Sequence, residues 1–239
     1  MRRFYALPQQ INEDRILLSA EESRHAFDVL RMRAGDEANV FDGEGREYTA
    51  RFVQIDKRGA SLEMIGEKKP SSPESPCEIT IAATVLHADK FELIIQKLVE
   101  LGVVKLVPIF TRRSDVKPPV NAAKQERWAK IAMEAAKQSG RARLMMITAP
   151  QSFGEFIEST PADETYLFSE REGTGLSSIA SNGEVTAVFG PKGGWDDAEL
   201  MAAREKGIGI ITLGGRILRA ETAAIGITAI LQCRFGDLN

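Results

Sequence analysis

Three prolines at every third position, Pro70, Pro73 and Pro76, interrupt the chain between Gly66 and Glu78. Each removes a backbone donor and fixes φ, so neither a helix nor a central strand can run through them, and the stretch reads as a linker. The apolar rhythm differs on its two sides. This predicts a domain over 1–68, a linker over 69–77 and a second domain over 78–239. With 43% hydrophobic and 27% charged residues among 239, the chain has enough apolar material to bury a core in each part and too much to be disordered.

Before the linker there is one helix signal. Ser19 and Glu22 have the spacing of a capping box, and Ala26, Phe27, Val29 and Leu30 continue the apolar run until Gly35 stops it. The rest reads as strands: Val40-Phe41 runs into a turn at Asp42-Gly43-Glu44-Gly45, Tyr48 to Ile55 alternates toward a turn at Asp56-Lys57-Arg58-Gly59, and Ala60 to Ile65 returns. A small β-rich module is expected.

After the linker, a strand-like run from Ile79 to Leu86 is followed by Phe91, Ile94, Ile95 and Leu98 at helical spacing, then by a strand from Val103 to Ile109. The alternation continues through a helix from Ala122 to Ser139 stopped by Gly140, strands at 166–168, 185–189 and 208–213, and a helix opened by Asp196 and Glu199. An α/β domain with a mainly parallel sheet follows. The last helix, Ala220 to Phe235, is apolar on most faces and must be buried.

Several chemistries are excluded. Cys77 and Cys233 form no CxxC pair, which fits a reducing, cytoplasmic setting. His25 and His87 are the only histidines, so no His-rich metal site is expected. No signal peptide or membrane span is expected either. There is no GxGxxG at the first βα turn, no Walker A loop and no GxSxG elbow.

Ligands of open parallel sheets sit beyond the carboxyl ends of the strands, and three loops there stand out. They are Phe168-Ser169-Glu170, Gly190-Pro191-Lys192-Gly193-Gly194-Trp195, and the run from Leu213 through Gly214, Ile217, Leu218, Arg219 and Glu221 to Thr222. Glycine permits close backbone approach, and Ile217 and Leu218 can wall an apolar pocket. Trp195 and Trp128 read as packing residues.

At these residues the chain resembles the RsmE type of SPOUT methyltransferases. The resemblance runs nearly the full length: Arg2-Arg3-Phe4-Tyr5, His25 with Val29-Leu30-Arg31, Glu92 with Gln96-Lys97 and Glu100-Leu101-Gly102, Glu134-Ala135-Ala136 with Gln138-Ser139-Gly140-Arg141, Gly190-Pro191 with Gly193-Gly194, and Leu213-Gly214 with Arg216-Ile217-Leu218-Arg219-Ala220-Glu221-Thr222-Ala223. It implies methylation of N3 of a uridine in 16S rRNA, within the small ribosomal subunit, using S-adenosylmethionine and no metal. It implies a PUA-like N-terminal β-barrel, a C-terminal α/β domain with a trefoil knot, and a homodimer formed through the knotted domain. Cofactor binding then falls to Phe168, Gly190, Pro191, Gly193, Gly194, Leu213, Gly214, Ile217 and Leu218. Family members usually carry Glu where this chain has Lys192, often Glu where it has Lys137, and often Pro near Met145. An outward Lys192 is expected, because lysine is rarely buried unpaired.

Uridine N3 must lose its proton, and the resulting charge spreads onto O2 and O4, so a guanidinium near those oxygens lowers the barrier. Arg219 is the candidate, with Glu221 to orient it and Thr222 to bond a base edge. A net charge of -3 gives no global attraction for phosphate, so RNA contacts must come from local patches. Arg2, Arg3, His25, Arg31 and Arg33 in the first module are candidates, with Phe4 and Tyr5 for stacking, and Arg112 and Arg141 form a second group. The alternatives are a SPOUT enzyme acting on a ribose 2'-hydroxyl and a non-catalytic ribosome-assembly protein.

Overall fold

The computed structural model describes residues 2–56 and 59–238, so Lys57 and Arg58, the tip of one expected turn, lie outside the described residues. The chain separates into two compact units. The first is Met1–Glu74 with Met133–Leu144, and the second is Ser75–Ala132 with Met145–Asn239.

In the first unit, β1 (Arg3–Tyr5), β2 (Arg15–Leu18), β3 (Glu37–Phe41), β4 (Glu47–Ile55) and β5 (Ala60–Lys68) form a five-stranded sheet in the order β1-β3-β4-β5-β2. Strand β1 runs parallel to β3 and the other pairings are antiparallel. Phe4 from one edge strand and Ile16 from the other pack in the same core with Val40, Phe52 and Leu62, so the sheet curls around a single interior. The Asp42 carboxylate accepts from Glu44 N and Arg46 N at 2.8 and 3.0 Å, which closes the turn between β3 and β4.

The helix of this unit departs from expectation. Ser19 Oγ accepts from Glu22 N and caps α1 (Ala20–Arg24), but Glu22 does not return the bond. Its buried carboxylate accepts instead from Tyr5 N and pairs with Lys137. After Arg24 the helix widens into a π-turn over His25–Val29, closed by Leu30 N on the His25 carbonyl. The wider turn adds a residue and rotates Val29 out to 64% exposure, although the spacing put it on the apolar face. Arg31 then ends the element with φ of 53°, the only non-glycine in the left-handed region among the described residues.

The second unit holds β6 (Glu78–Thr84), α2 (Ala88–Glu100), β7 (Lys105–Phe110), α3 (Ala122–Ser139), β8 (Met146–Ile147), β9 (Gln151–Ser152), α4 (Phe153–Ser159), β10 (Thr165–Phe168), β11 (Glu184–Phe189), α5 (Asp197–Glu205), β12 (Gly209–Ile211) and α6 (Ala220–Phe235). Residues from 133 onward in α3 belong to the first unit. The strand order is β12-β10-β11-β6-β7-β8, with β9 on β7 and every pairing parallel. The long apolar strands β6 and β11 are central, as burial on both faces requires. Among the described residues no helix is long and apolar enough to cross a membrane.

Candidate functional site

Strands β12, β10 and β11 are neighbours, so their three following loops meet at one edge of the sheet. They enclose a cleft of about 580 Å³. That is ample for a ligand of nucleoside size.

The loop after β11 is fixed from beneath. Trp195 is buried, donates from Nε1 to the Phe168 carbonyl at 2.7 Å, and packs on Phe153. A Cβ at Gly190 would stand 2.8 Å from the Trp195 ring, so only glycine fits there. At Gly194 the φ of 72° favours glycine in the same way. Arg171 donates to the Trp195 carbonyl at 2.7 Å and pairs with Asp197, while Arg112 and Arg113 reach Asp196 at 3.3 and 3.5 Å. Asp196 and Glu199 complete the expected capping box at the start of α5. The side chain of Lys192 is exposed.

The loop after β12 is different. From Leu213 to Arg219 every side chain is exposed, including Ile217 at 82%. Apolar side chains left uncovered at the mouth of a cleft mark a surface that a ligand covers. Arg219 is the N-cap of α6 but makes no side-chain capping bond.

All nine residues assigned above to the cofactor line the cleft, as do Arg219 and Glu221. Thr222 does not. Its side chain is exposed on the first turn of α6 and lies outside the cleft lining, so the structure does not bring it together with Arg219 and Glu221 there. The sequence reading also missed Lys90. This residue stands at the start of α2, after the end of β6, and its ammonium lies 3.1 Å from Glu221 Oε1. The signal available was position alone: β6 is a fourth parallel strand whose carboxyl end opens at the same edge. Partial burial pushes the Glu221 carboxyl up, but its own backbone N–H, the Lys90 ammonium and the charge of Arg219 outweigh this and hold it below the ordinary carboxylate value.

The expected RNA-facing arginines divide. Arg2, Arg31 and Arg33 are exposed, and among the described residues their guanidinium groups have no ion-pair partner. Arg112 is 67% exposed beside Asp196. Arg3 and Arg141 are corrections. The Arg3 guanidinium is inside the first unit, donating to the carbonyls of Ala136, Lys137 and Arg141 and pairing with the fully buried Glu47 at 3.1 Å. The Arg141 side chain is 3% exposed and makes a two-pronged contact with Glu74. A buried, paired guanidinium presents no donor to a phosphate. Phe4 is fully buried and offers no stacking surface, while His25 is half-buried with its ring edge-on to Phe4.

Residues 73–232 match a family model described as an RNA methyltransferase domain, and residues 18–65 one described as an RNA methyltransferase PUA domain. Curated relatives called ribosomal RNA small subunit methyltransferase E are 35% identical in Synechocystis sp. and 33% identical in Bacillus subtilis. The first alignment covers 92% of this chain and 74% of the relative, the second 94% and 93%. Among solved structures, the ribosomal RNA small subunit methyltransferase E of Neisseria gonorrhoeae bound to S-adenosyl methionine superposes with a TM-score of 0.91 at 33% identity, over the whole of both chains.

Proposed function

Because the chain belongs to the ribosomal RNA small subunit methyltransferase E family, we propose that it methylates N3 of a uridine in 16S rRNA, using S-adenosylmethionine. The observation that carries this is the cleft at three adjacent parallel strand ends, in which exposed apolar side chains and glycine backbone lie beside two exposed arginines.

The residues present fit the cofactor. Uncovered Ile217, Leu213 and Leu218 give apolar walls, and the glycines at 190, 193, 194 and 214 leave backbone polar groups open to a heterocycle and its sugar. Lys192 lines the cleft with its side chain exposed, and the ammonium of Lys90, also at the cleft, is paired with Glu221, so neither lysine stands buried and unpaired beside the positive centre of the cofactor. When bound, the cofactor supplies an electrophilic methyl group on a sulfonium, so no metal is required. The chain's own task is to orient the base and to hold the charge that its carbonyl oxygens gain as N3 loses its proton. Arg219 faces the cleft and is assigned that charge.

In the first unit, Arg2, Arg31 and Arg33 supply RNA contacts, with Arg112 contributing from the second. On α6 one face is buried through Ala224, Ile227, Thr228 and Leu231, while Gly226, Ile230 and Cys233 are exposed on another. That exposed, small-residue face is the surface through which the expected homodimer forms. The trefoil knot and cytoplasmic action on the small ribosomal subunit belong to the same reading.

The test is identification of the product. Small subunits from cells lacking the protein are incubated with it and with labelled S-adenosylmethionine, and the RNA is digested to nucleosides. Label in 3-methyluridine is the expected result. Label on a ribose oxygen would move the protein to the alternative class of RNA methyltransferase, and a bound cofactor without transfer would leave it a non-catalytic binding protein.

A further inference from the structure

Lys90 differs from every other cation of the cleft in how it is held. Lys192, Arg216 and Arg219 sit on exposed loops, and among the described residues none makes a side-chain hydrogen bond or ion pair. Lys90 rises from a helix of thirteen residues anchored by the buried side chains of Phe91, Ile94, Ile95 and Leu98, and Glu221 holds its ammonium at 3.1 Å. The Lys90 side chain remains 37% exposed toward the cleft it lines. An ammonium has three N–H groups, and one carboxylate oxygen does not exhaust them.

We propose that Lys90 is the preorganised cation of the substrate site, set in place by Glu221, and that it holds negative charge on a carbonyl oxygen of the target base. This rests on the uridine methylation argued above and deepens it. Glu221 is poorly suited to the other role open to it, that of proton acceptor. A carboxylate tied to a backbone N–H and an ammonium is a weaker base than an ordinary one, and proton transfer to it from an imide nitrogen is uphill. In this proposal the N3 proton passes to hydroxide from solvent, giving water and the base anion, rather than to Glu221 or to Glu170, the exposed carboxylate that also lines the cleft. The N3 lone pair of that anion forms the bond to the methyl carbon, and the electrons of the carbon–sulfur bond stay on sulfur. What the protein contributes is a lower cost for the anion, and a cation already fixed on a helix contributes more than one that must be ordered from an exposed loop. Glu221 is thus a positioning residue, and Lys90 is the group that meets the substrate.

The experiment compares unaltered protein with Lys90→Gln and Lys90→Arg in single-turnover transfer to small subunits across pH, alongside calorimetric binding of S-adenosylmethionine. Transfer rises with pH as N3 ionises, and loss of a nearby cation moves the midpoint of that rise upward, by about one pH unit. Lys90→Gln is expected to show that displacement and a rate lower by on the order of 10- to 100-fold at neutral pH, with cofactor affinity unchanged. Lys90→Arg, which keeps the positive charge, is expected to leave the midpoint in place and to recover part of the rate. An unmoved midpoint would overturn the proposal, as would a fall in cofactor affinity that accounts for the lost rate; Lys90 would then only shape the cofactor pocket. Melting temperatures of both variants separate misfolding from either result, and an unfolded Lys90→Gln leaves Lys90→Arg to be read against unaltered protein: an unchanged midpoint supports a substrate-facing charge, and a displaced one contradicts it. No transfer by the unaltered protein to any rRNA would refute the uridine reading itself, and the proposal with it.

Discussion

Two sets of arginines look alike in sequence and are held in opposite ways. In the first unit, Arg3 and Arg141 are buried and saturated: Arg3 closes the carboxyl end of α3 and pairs with Glu47, and Arg141 pairs with Glu74. At the cleft of the second unit, Arg216 and Arg219 are exposed and make no side-chain bond among the described residues. A guanidinium enclosed among carbonyls and carboxylates contributes to folding. One left in solvent beside an uncovered apolar surface is available to a ligand. Burial and partners, which sequence spacing does not report, separate the two.

The sharpest way to break this comparison is Glu47. Its side chain is fully buried and accepts from Arg3, Lys68 and Ser71, so Glu47→Ala leaves the Arg3 charge enclosed without its partner. A destabilisation of about 3–5 kcal/mol is expected in denaturant unfolding. At the cleft, Arg219→Ala is expected to slow methyl transfer by on the order of 100-fold, about 3 kcal/mol, while the melting temperature stays within a degree or so.

The pH dependence sharpens the first half. Burial pushes the Glu47 carboxyl up, but hydrogen bonds from Arg3 and Ser71 and the charge of Arg3 outweigh it and place its pKa below the ordinary carboxylate value. A group depressed in the folded state stabilises above its unfolded pKa and loses that contribution as pH falls through the folded one. Stability of the unaltered protein should therefore decline below the usual glutamate range near 4.5, and Glu47→Gln should flatten that part of the profile. The smallest effect belongs to Arg31. Glycine adopts its φ of 53° without strain, so Arg31→Gly is expected to raise stability by about 1 kcal/mol while weakening RNA binding in a filter or polarisation assay.

Much of the second unit was legible because its elements obey periodicity. The helices at Ala122–Ser139 and Ala220–Phe235 have the expected limits, and the three expected loops, two of them glycine-bearing, follow neighbouring strands. Helix α4 was missed although Ser152 and Glu155 form its capping box, because seven residues carry too short an apolar pattern. Lys90 was invisible because its role depends on the packing of α2 against the start of α6, residues far apart in the chain. In the first unit the π-turn broke the helical period at Val29, and Arg3 and Phe4 read as surface residues because β1 is only three residues long. A strand that short gives no alternation from which to learn which side chains face inward.

The most direct measurement pairs melting temperature with methyl transfer to small ribosomal subunits for Arg219→Ala and Arg3→Ala, both saturated with S-adenosylmethionine. The account predicts a crossed result: Arg219→Ala melts like the unaltered protein and transfers poorly, and Arg3→Ala melts several degrees lower but transfers normally below its transition. Normal transfer by Arg219→Ala, or an Arg3→Ala that melts normally and fails to bind RNA, would contradict it.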